Sequence, residues 1–250
     1  MFKRYICALI FKYCYLMNRE RLRLFFIPFS GGNAYSYSGF RKYLPDNVVF
    51  HNLELPGRGK RISEPLLVRT ESMTEDLFAQ IEGFTDDRYA IFGHSLGALL
   101  GYTLCRLLAE RKMKLPVTLF SSGQTAPALI SSDNKHELPN DMLVKVLREM
   151  NGTPEELLND GDFLDYFLPV IRADFRSVAE FRYRSQPVPL NIPIDILLGS
   201  EEDTTDDEAL AWRDETSGGV SVHRFSGGHF FIYDHIPEIC RLIISRIQQR

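Results

Sequence analysis

From Tyr89 to Gly101 the sequence reads Tyr-Ala-Ile-Phe-Gly-His-Ser-Leu-Gly-Ala-Leu-Leu-Gly, and few folds accommodate such a stretch. Residues 89–92 are a short apolar run with the length and residue types of a buried strand. Gly93-His94-Ser95-Leu96-Gly97 follows, a G-x-S-x-G, and residues 98–110 are rich in helix formers. Strand, sharp turn and helix are the context in which this motif acquires chemical meaning. Ser95 must hold a strained backbone conformation for its hydroxyl to stand clear of the sheet. The helix folds back so tightly that a β-carbon at position 93 or 97 would clash, which accounts for both glycines. Because the helix begins just after the serine, its free N–H groups point toward charge developing there. Ser95 is therefore expected to be a nucleophile.

The segments on either side fit one architecture. An apolar, aromatic run over 22–28 predicts a first strand, leading into Phe29-Ser30-Gly31-Gly32-Asn33-Ala34, a loop of small residues. A helix is expected over 35–44 and a second strand over 48–53, ending in the basic turn Pro56-Gly57-Arg58-Gly59-Lys60-Arg61. Ser72-Met73-Thr74-Glu75 reads as a capping box that opens a helix to about residue 83. A further strand is expected over 117–121. This alternation signals an α/β fold with a mostly parallel central sheet and flanking crossover helices.

The rhythm breaks over 126–186, where helical signals recur and no strand is expected. Residues 141–150 look helical. Thr153-Pro154-Glu155-Glu156 supplies an N-cap, a proline in the first turn and an acid at the third position. From Pro169 to about 181, Ile171, Phe175 and Val178 recur at helical spacing. An insertion of this kind is expected to form a helical lid over the strand ends. Alternation resumes with a strand over 192–199, a helix over 206–216, a strand over 220–225 and a last helix from Pro237. Residues 21–250 are thus expected to form one domain, long enough for a full core.

Residues 1–20 are expected to be an N-terminal extension. Lys3-Arg4 and the apolar run after them resemble the start of a signal peptide, but Lys12 interrupts the run and no small-x-small site follows. The run is also too short to span a bilayer, and Met17 offers an ordinary start. The net charge of −4 argues against nucleic acid as a partner. The four cysteines, Cys7, Cys14, Cys105 and Cys240, have neither C-x-x-C pairing nor metal spacing. They read as reduced thiols of a cytoplasmic protein, and no metal or cofactor is expected.

In a sheet of this type ligands gather at the carboxyl ends of the strands. The elbow strand delivers Ser95 there, the strand after the insertion an acidic loop, and the last strand Gly227-Gly228-His229. The order serine, acid, histidine is that of the α/β-hydrolases. His229 is the expected general base, because an imidazole titrates near neutral pH and can accept and later return the hydroxyl proton. His51, His94, His136, His223 and His235 lie in segments less suited to that task. Of the acidic run after Gly199, Asp203 is the expected partner of the histidine, with Glu201, Glu202 and Asp206 as alternatives. The backbone N–H groups of Leu96 and Ser30 are the expected oxyanion donors.

With these residues in view, the sequence resembles the discrete type II thioesterases that accompany nonribosomal peptide and polyketide synthases. The resemblance runs from about Leu22 to Ile244. It rests on Phe26-Ile27-Pro28-Phe29-Ser30-Gly31-Gly32, Leu55-Pro56-Gly57-Arg58-Gly59-Lys60-Arg61, the serine motif, Gly152-Thr153-Pro154-Glu155-Glu156, Arg172-Ala173-Asp174-Phe175 and Gly227-Gly228-His229-Phe230. The Pro-Gly-Arg turn and the Arg-Ala-Asp-Phe segment are more specific than the serine motif. The sequence departs from the family in having serine at 30 where many relatives have alanine, and threonine at 204 where many have proline after the acid. The resemblance implies a triad of Ser95, Asp203 and His229. It also implies a thioester substrate carried on the phosphopantetheine arm of an acyl- or peptidyl-carrier domain, and a role in clearing stalled acyl groups. A monomer is expected. Carrier domains are usually acidic, so Arg172, Arg176, Arg182 and Arg184 are candidates for a docking surface or, equally, for local ion pairs on a solvated lid face. A small-molecule esterase and a catalytically silent carrier-binding module are the alternative readings.

Overall fold

The apolar runs pair in parallel throughout. The computed structural model describes residues 22–249, so the extension expected over 1–20 lies outside them. Strands β1 (Leu22–Ile27), β2 (Val48–Asn52), β3 (Arg88–His94), β4 (Leu119–Ser122), β5 (Ile194–Gly199) and β6 (Val220–Phe225) form one sheet in the order β2-β1-β3-β4-β5-β6. Every neighbouring pair is parallel, so all the carboxyl ends lie along one edge. The strand order reverses at β1 and β3, which opens the crevice where open sheets of this class bind ligands.

The period-two pattern of β1 distributes its side chains to the two faces. Phe25 and Ile27 join a core with Ile91, Leu100, Leu104 and Trp212. Leu22, Leu24 and Phe26 join a second core with Phe40, Phe92 and Ile243. Phe26 is fully buried and its ring lies 4.9–5.3 Å from those of Tyr37, Phe40, Phe50 and Phe92. Each such pair contributes roughly 0.5–1.5 kcal/mol beyond area burial.

The helices among the described residues are α1 (Thr70–Ile81), α2 (Leu96–Glu110), α3 (Asn140–Met150), α4 (Glu155–Leu158), α5 (Gly161–Ala179), α6 (Asp206–Leu210) and α7 (Ile236–Gln248). Helices α1 and α2 contribute to the first core and α7 to the second. The insertion contains helices and 3-10 turns joined by coil, with no strand among its described residues, and it carries a small core of its own: Leu143, Leu147, Leu158, Leu168 and Ile171. None of the described helices is long and apolar enough to cross a membrane.

Several boundaries differ from expectation for identifiable reasons. Helix α1 starts at Thr70, two residues before the capping box, and its N-cap Arg69 makes no side-chain cap. The buried face of Thr70, Met73, Thr74, Leu77 and Ile81 sets the start instead. Residues 35–44 contain only a 3-10 helix, Ser38–Tyr43, anchored by buried Phe40. Helix α4 follows Pro154 as its N-cap, without the side-chain bond expected of Thr153. Helix α5 begins eight residues before Pro169, because the Asp160 carboxylate accepts the Phe163 N–H and caps it there. Pro169 lies inside the helix, where it cannot donate to the carbonyl one turn back. Burial of Leu168, Val170, Ile171, Ala173 and Asp174 holds the helix through that defect. Helix α6 is capped by a Thr205–Glu208 box and continues as the 3-10 turn Ala211–Asp214.

Candidate active site

Ser95 sits between β3 and α2 at φ 54° and ψ −120°, the strained elbow that the motif predicts. The glycines on either side are sterically required. A β-carbon on Gly93 would lie 2.0 Å from the Gly97 carbonyl oxygen, and one on Gly97 would lie 2.3 Å from that of Ile27. The Ser95 amide donates to the Ser122 carbonyl at 2.8 Å, which ties the elbow to the end of β4. The elbow histidine, His94, is fully buried, with Nδ1 2.9 Å from Ser122 Oγ. Burial first, and then the neighbouring His229, holds its imidazole well below the usual histidine range, so His94 stays neutral.

His229 arrives from the far end of the sheet. Its ring centroid lies 4.8 Å from that of His94, the residue immediately before Ser95. Gly123, at φ 59°, leaves room for both imidazoles, since a β-carbon there would meet each of them. Gly199 at the end of β5 abuts the main chain of Gly227 and Gly228: a β-carbon at 199 would lie 2.5–2.6 Å from their carbonyl oxygens. That close passage is what the glycine approach to His229 provides. His229 Nε2 is buried and, among the described residues, has no hydrogen-bond partner, the Ser95 hydroxyl included. Such contacts commonly tighten only once substrate is bound.

The carboxylate on His229 is Glu202. His229 Nδ1 donates to Glu202 Oε1 at 2.7 Å, and Glu202 Oε2 accepts the Gly199 amide at 2.7 Å. This corrects the expectation for Asp203 by one residue. The chain turns sharply after β5, with the Glu202 amide bonded to the Gly199 carbonyl and the Glu201 amide to that of Gly227. The turn folds side chain 202 back onto the strand end and leaves Asp203 exposed. Because an ionised carboxylate only accepts, Nδ1 carries the ring proton and Nε2 presents a lone pair. The carboxylate and imidazole side chains are 11% and 22% exposed, so the pair is largely shielded from water.

The loop after β1 has an unequal distribution of amides. Gly31 N–H donates to Asp174 Oδ2, Gly32 to the Phe29 carbonyl, Asn33 to Ser36 Oγ, Ala34 to Glu54 Oε1 and Tyr35 to Asn33 Oδ1. Among the described residues, the Ser30 amide just before this run has no acceptor. Leu96 occupies the first position of α2, where an amide has no acceptor within the helix. Both N–H groups assigned to the oxyanion are therefore uncommitted. Ser30 and Ser95 line one cavity of about 230 Å³, walled largely by Phe29, Leu147, Met150, Phe163, Phe167 and Ile171.

The basic residues singled out from the sequence are mostly engaged locally. Arg172 donates to the His136 carbonyl and to Asn140 Oδ1, Arg176 pairs with Glu180, and Arg182 donates to the carbonyls of Ala179 and Phe181. Arg184 is exposed. In the Pro-Gly-Arg turn, Arg58 is buried in an ion pair with Asp174, and Arg61 pairs with Glu64 and Asp76. Sequence reasoning flagged the two segments holding Arg58 and Asp174 as distinctive but had no signal for their meeting, since 116 residues separate them. Among the described residues, no cluster of histidine, cysteine or acidic side chains is arranged to hold a metal ion.

The model of the thioesterase domain family matches residues 22–247. The gramicidin S biosynthesis protein GrsT of Aneurinibacillus migulanus is 31% identical over 233 residues, covering 92% of this chain and 91% of its own. Thioesterase PikA5 of Streptomyces venezuelae is 33% identical over 228 residues, covering 90% and 81%. Of solved structures, the type II thioesterase BorB from the borrelidin biosynthetic cluster is similar with a TM-score of 0.84 at 30% identity, covering 92% of this chain and 94% of that one.

Proposed function

Since this chain belongs to the thioesterase domain family, we propose that it hydrolyses acyl thioesters carried on the phosphopantetheine arm of carrier domains, clearing stalled acyl groups from a peptide or polyketide synthase. One observation carries this reading most directly: His229 Nδ1 lies 2.7 Å from Glu202 Oε1, while its buried Nε2, without a partner among the described residues, stands beside the serine elbow. The apolar cavity that Ser95 lines suits an acyl chain. The similarity to GrsT and PikA5 supports a synthase context, and the buried Cys105 and Cys240 thiols suit a reducing, cytoplasmic setting.

In the proposed mechanism, Ser95 Oγ attacks the thioester carbonyl as its proton passes to His229 Nε2. The Glu202 carboxylate stabilises the imidazolium through Nδ1–H, and the Ser30 and Leu96 amides hold the oxyanion. Collapse of the tetrahedral adduct breaks the carbon–sulfur bond, and the imidazolium proton goes to the departing thiolate. Water then attacks the acyl-serine, giving a proton to the same nitrogen, which returns it to Ser95 as the carboxylic acid leaves. The test is a panel of acyl-loaded carrier proteins, with turnover followed by intact mass. Ser95→Ala is expected to lose at least 10³-fold in kcat while keeping its fold; near-normal turnover by that variant would refute the reading.

A further inference from the structure

The two most distinctive sequence segments meet at a point that hydrolysis alone does not explain. Arg58, 2% exposed, lies in the Pro-Gly-Arg turn; Asp174, fully buried, lies on α5 of the insertion. Their contact is a two-pronged ion pair, Nη1 to Oδ2 at 2.7 Å and Nη2 to Oδ1 at 2.8 Å. Asp174 Oδ2 also accepts the Gly31 amide, at 2.8 Å. One carboxylate oxygen therefore joins the insertion, the basic turn and the loop that carries Ser30. Helix α5 closes on Gly31 from the same side, since a β-carbon there would lie 2.6 Å from Ile171 Cδ1 and 2.7 Å from the Phe167 ring. Gly31 is held at φ 78°, a left-handed conformation open chiefly to glycine.

We infer that Arg58 and Asp174 are positioning residues for the oxyanion donor. Asp174 takes the Gly31 amide and fixes the Ser30–Gly31 peptide group, so that the Ser30 N–H is left facing the cavity. Arg58 orients the carboxylate and neutralises it in a site closed to water. The ion pair as such is weak evidence for stabilisation, because apolar groups of similar volume often replace a buried pair without loss. Its distinctive effect is to supply an acceptor at one backbone amide. Misplacing a reacting or stabilising group by about 1 Å costs on the order of 10² in rate, and an oxyanion donor contributes about 10²–10³ in kcat. The inference rests on the hydrolase reading given above, and the insertion helix becomes part of the catalytic scaffold as well as a cover for the acyl group.

The experiment compares two double variants with the wild-type chain. Arg58→Met with Asp174→Leu removes both charges and the acceptor. Arg58→Met with Asp174→Asn removes both charges but keeps a side-chain oxygen for the Gly31 amide. If the leucine variant does not fold, Asp174→Val with the same arginine change supplies the acceptor-free chain. Thermal unfolding establishes the folded state of each, and kcat and KM are measured on an acyl-loaded carrier. The expected result is a kcat at least tenfold higher in the asparagine variant than in the acceptor-free one, with KM within threefold across the set. The rate of labelling by a fluorophosphonate, whose addition also needs the oxyanion site, is expected to follow kcat. A kcat difference below tenfold, or one carried by KM, would overturn the positioning role. Failure of the hydrolase reading is separately recognisable, because wild type and Ser95→Ala would then show the same turnover, whether both hydrolyse the carrier-bound acyl group or neither does.

Discussion

Replacing Glu202 by glutamine tests the site at its most informative hydrogen bond. The substitution keeps the shape of the side chain, which has two fixed obligations: Oε2 to the Gly199 amide and Oε1 to His229 Nδ1, each at 2.7 Å. The Gly199 N–H belongs to the backbone at a strand end and cannot turn away. A glutamine that offers its NH2 group there would face donor against donor, leaving a buried amide unpaired at about 1–3 kcal/mol. The favourable orientation gives the oxygen to Gly199 and the NH2 to His229. That NH2 donates to Nδ1, so the ring proton moves to Nε2, where no lone pair remains to accept from Ser95. Loss of the correct tautomer at an analogous histidine elsewhere costs about 10⁴ in kcat, or about 5 kcal/mol at about 1.4 kcal/mol per tenfold. Glu202→Gln is expected to lower kcat by about 10³–10⁴, with KM within a few fold, measured as initial thiol release from an acyl-loaded carrier. Asp203→Asn, on an exposed side chain, is expected to stay within twofold of wild type. The reasoning is refuted if the Asp203 variant is the crippled one, or if Glu202→Gln keeps more than a tenth of the wild-type kcat.

Two further outcomes follow from the same geometry. Gly93→Ala would press a methyl group to 2.0 Å from a main-chain oxygen, whereas a β-carbon on Gly83 meets nothing within 4 Å. Calorimetry is expected to find the first destabilised by about 3 kcal/mol or more, a fall in Tm of about 6–12 °C, and Gly83→Ala nearly unchanged; equal Tm values would contradict the packing argument. His94 is lowered by burial and then by His229, while the unfolded chain titrates near 6.5. Below that pH the unfolded state binds more protons, so the His94 contribution is fully present above about 6.5 and is lost as pH falls toward the lowered native value. His51 is lowered too, by burial and then by Arg23, and acts with the same sign in both proteins. The drop in Tm between pH 7.5 and 5.5 should therefore be smaller in His94→Gln than in wild type, and an equal or larger drop would count against a neutral His94.

Features with a local physical cause were legible in the sequence. The elbow needs glycines at two fixed offsets from the serine, and the sheet needs apolar runs separated by helices, so Ser95, the parallel sheet and the helical insertion could all be read from short windows. His229 was legible because paired glycines before a histidine at a strand end mark a close approach of main chains, here between Gly227-Gly228 and Gly199. The sequence points one position past the carboxylate that meets His229, because depth in a loop does not determine which side chain faces inward. That choice is made by the Gly199 amide, which captures residue 202. Helix starts were misjudged where tertiary burial outweighed a local signal, as at Thr70, or where a proline was tolerated inside a helix, as at Pro169. The joining of Arg58 and Asp174 was illegible for a different reason: no periodicity relates residues so far apart along the chain.

The meeting of Gly199 with Gly227 and Gly228 has a consequence for how such an enzyme can change. His229, the proposed base, and its carboxylate Glu202 ride on adjoining lengths of main chain at one border of the sheet, and neither belongs to the helical insertion. Proton handling is thereby insulated from the walls of the acyl chamber, many of which the insertion supplies. Residues such as Leu147, Met150 and Phe163, which do not press on the Gly31 loop, can be exchanged for larger or smaller ones, retuning which acyl groups are accepted while the histidine and its carboxylate keep their alignment.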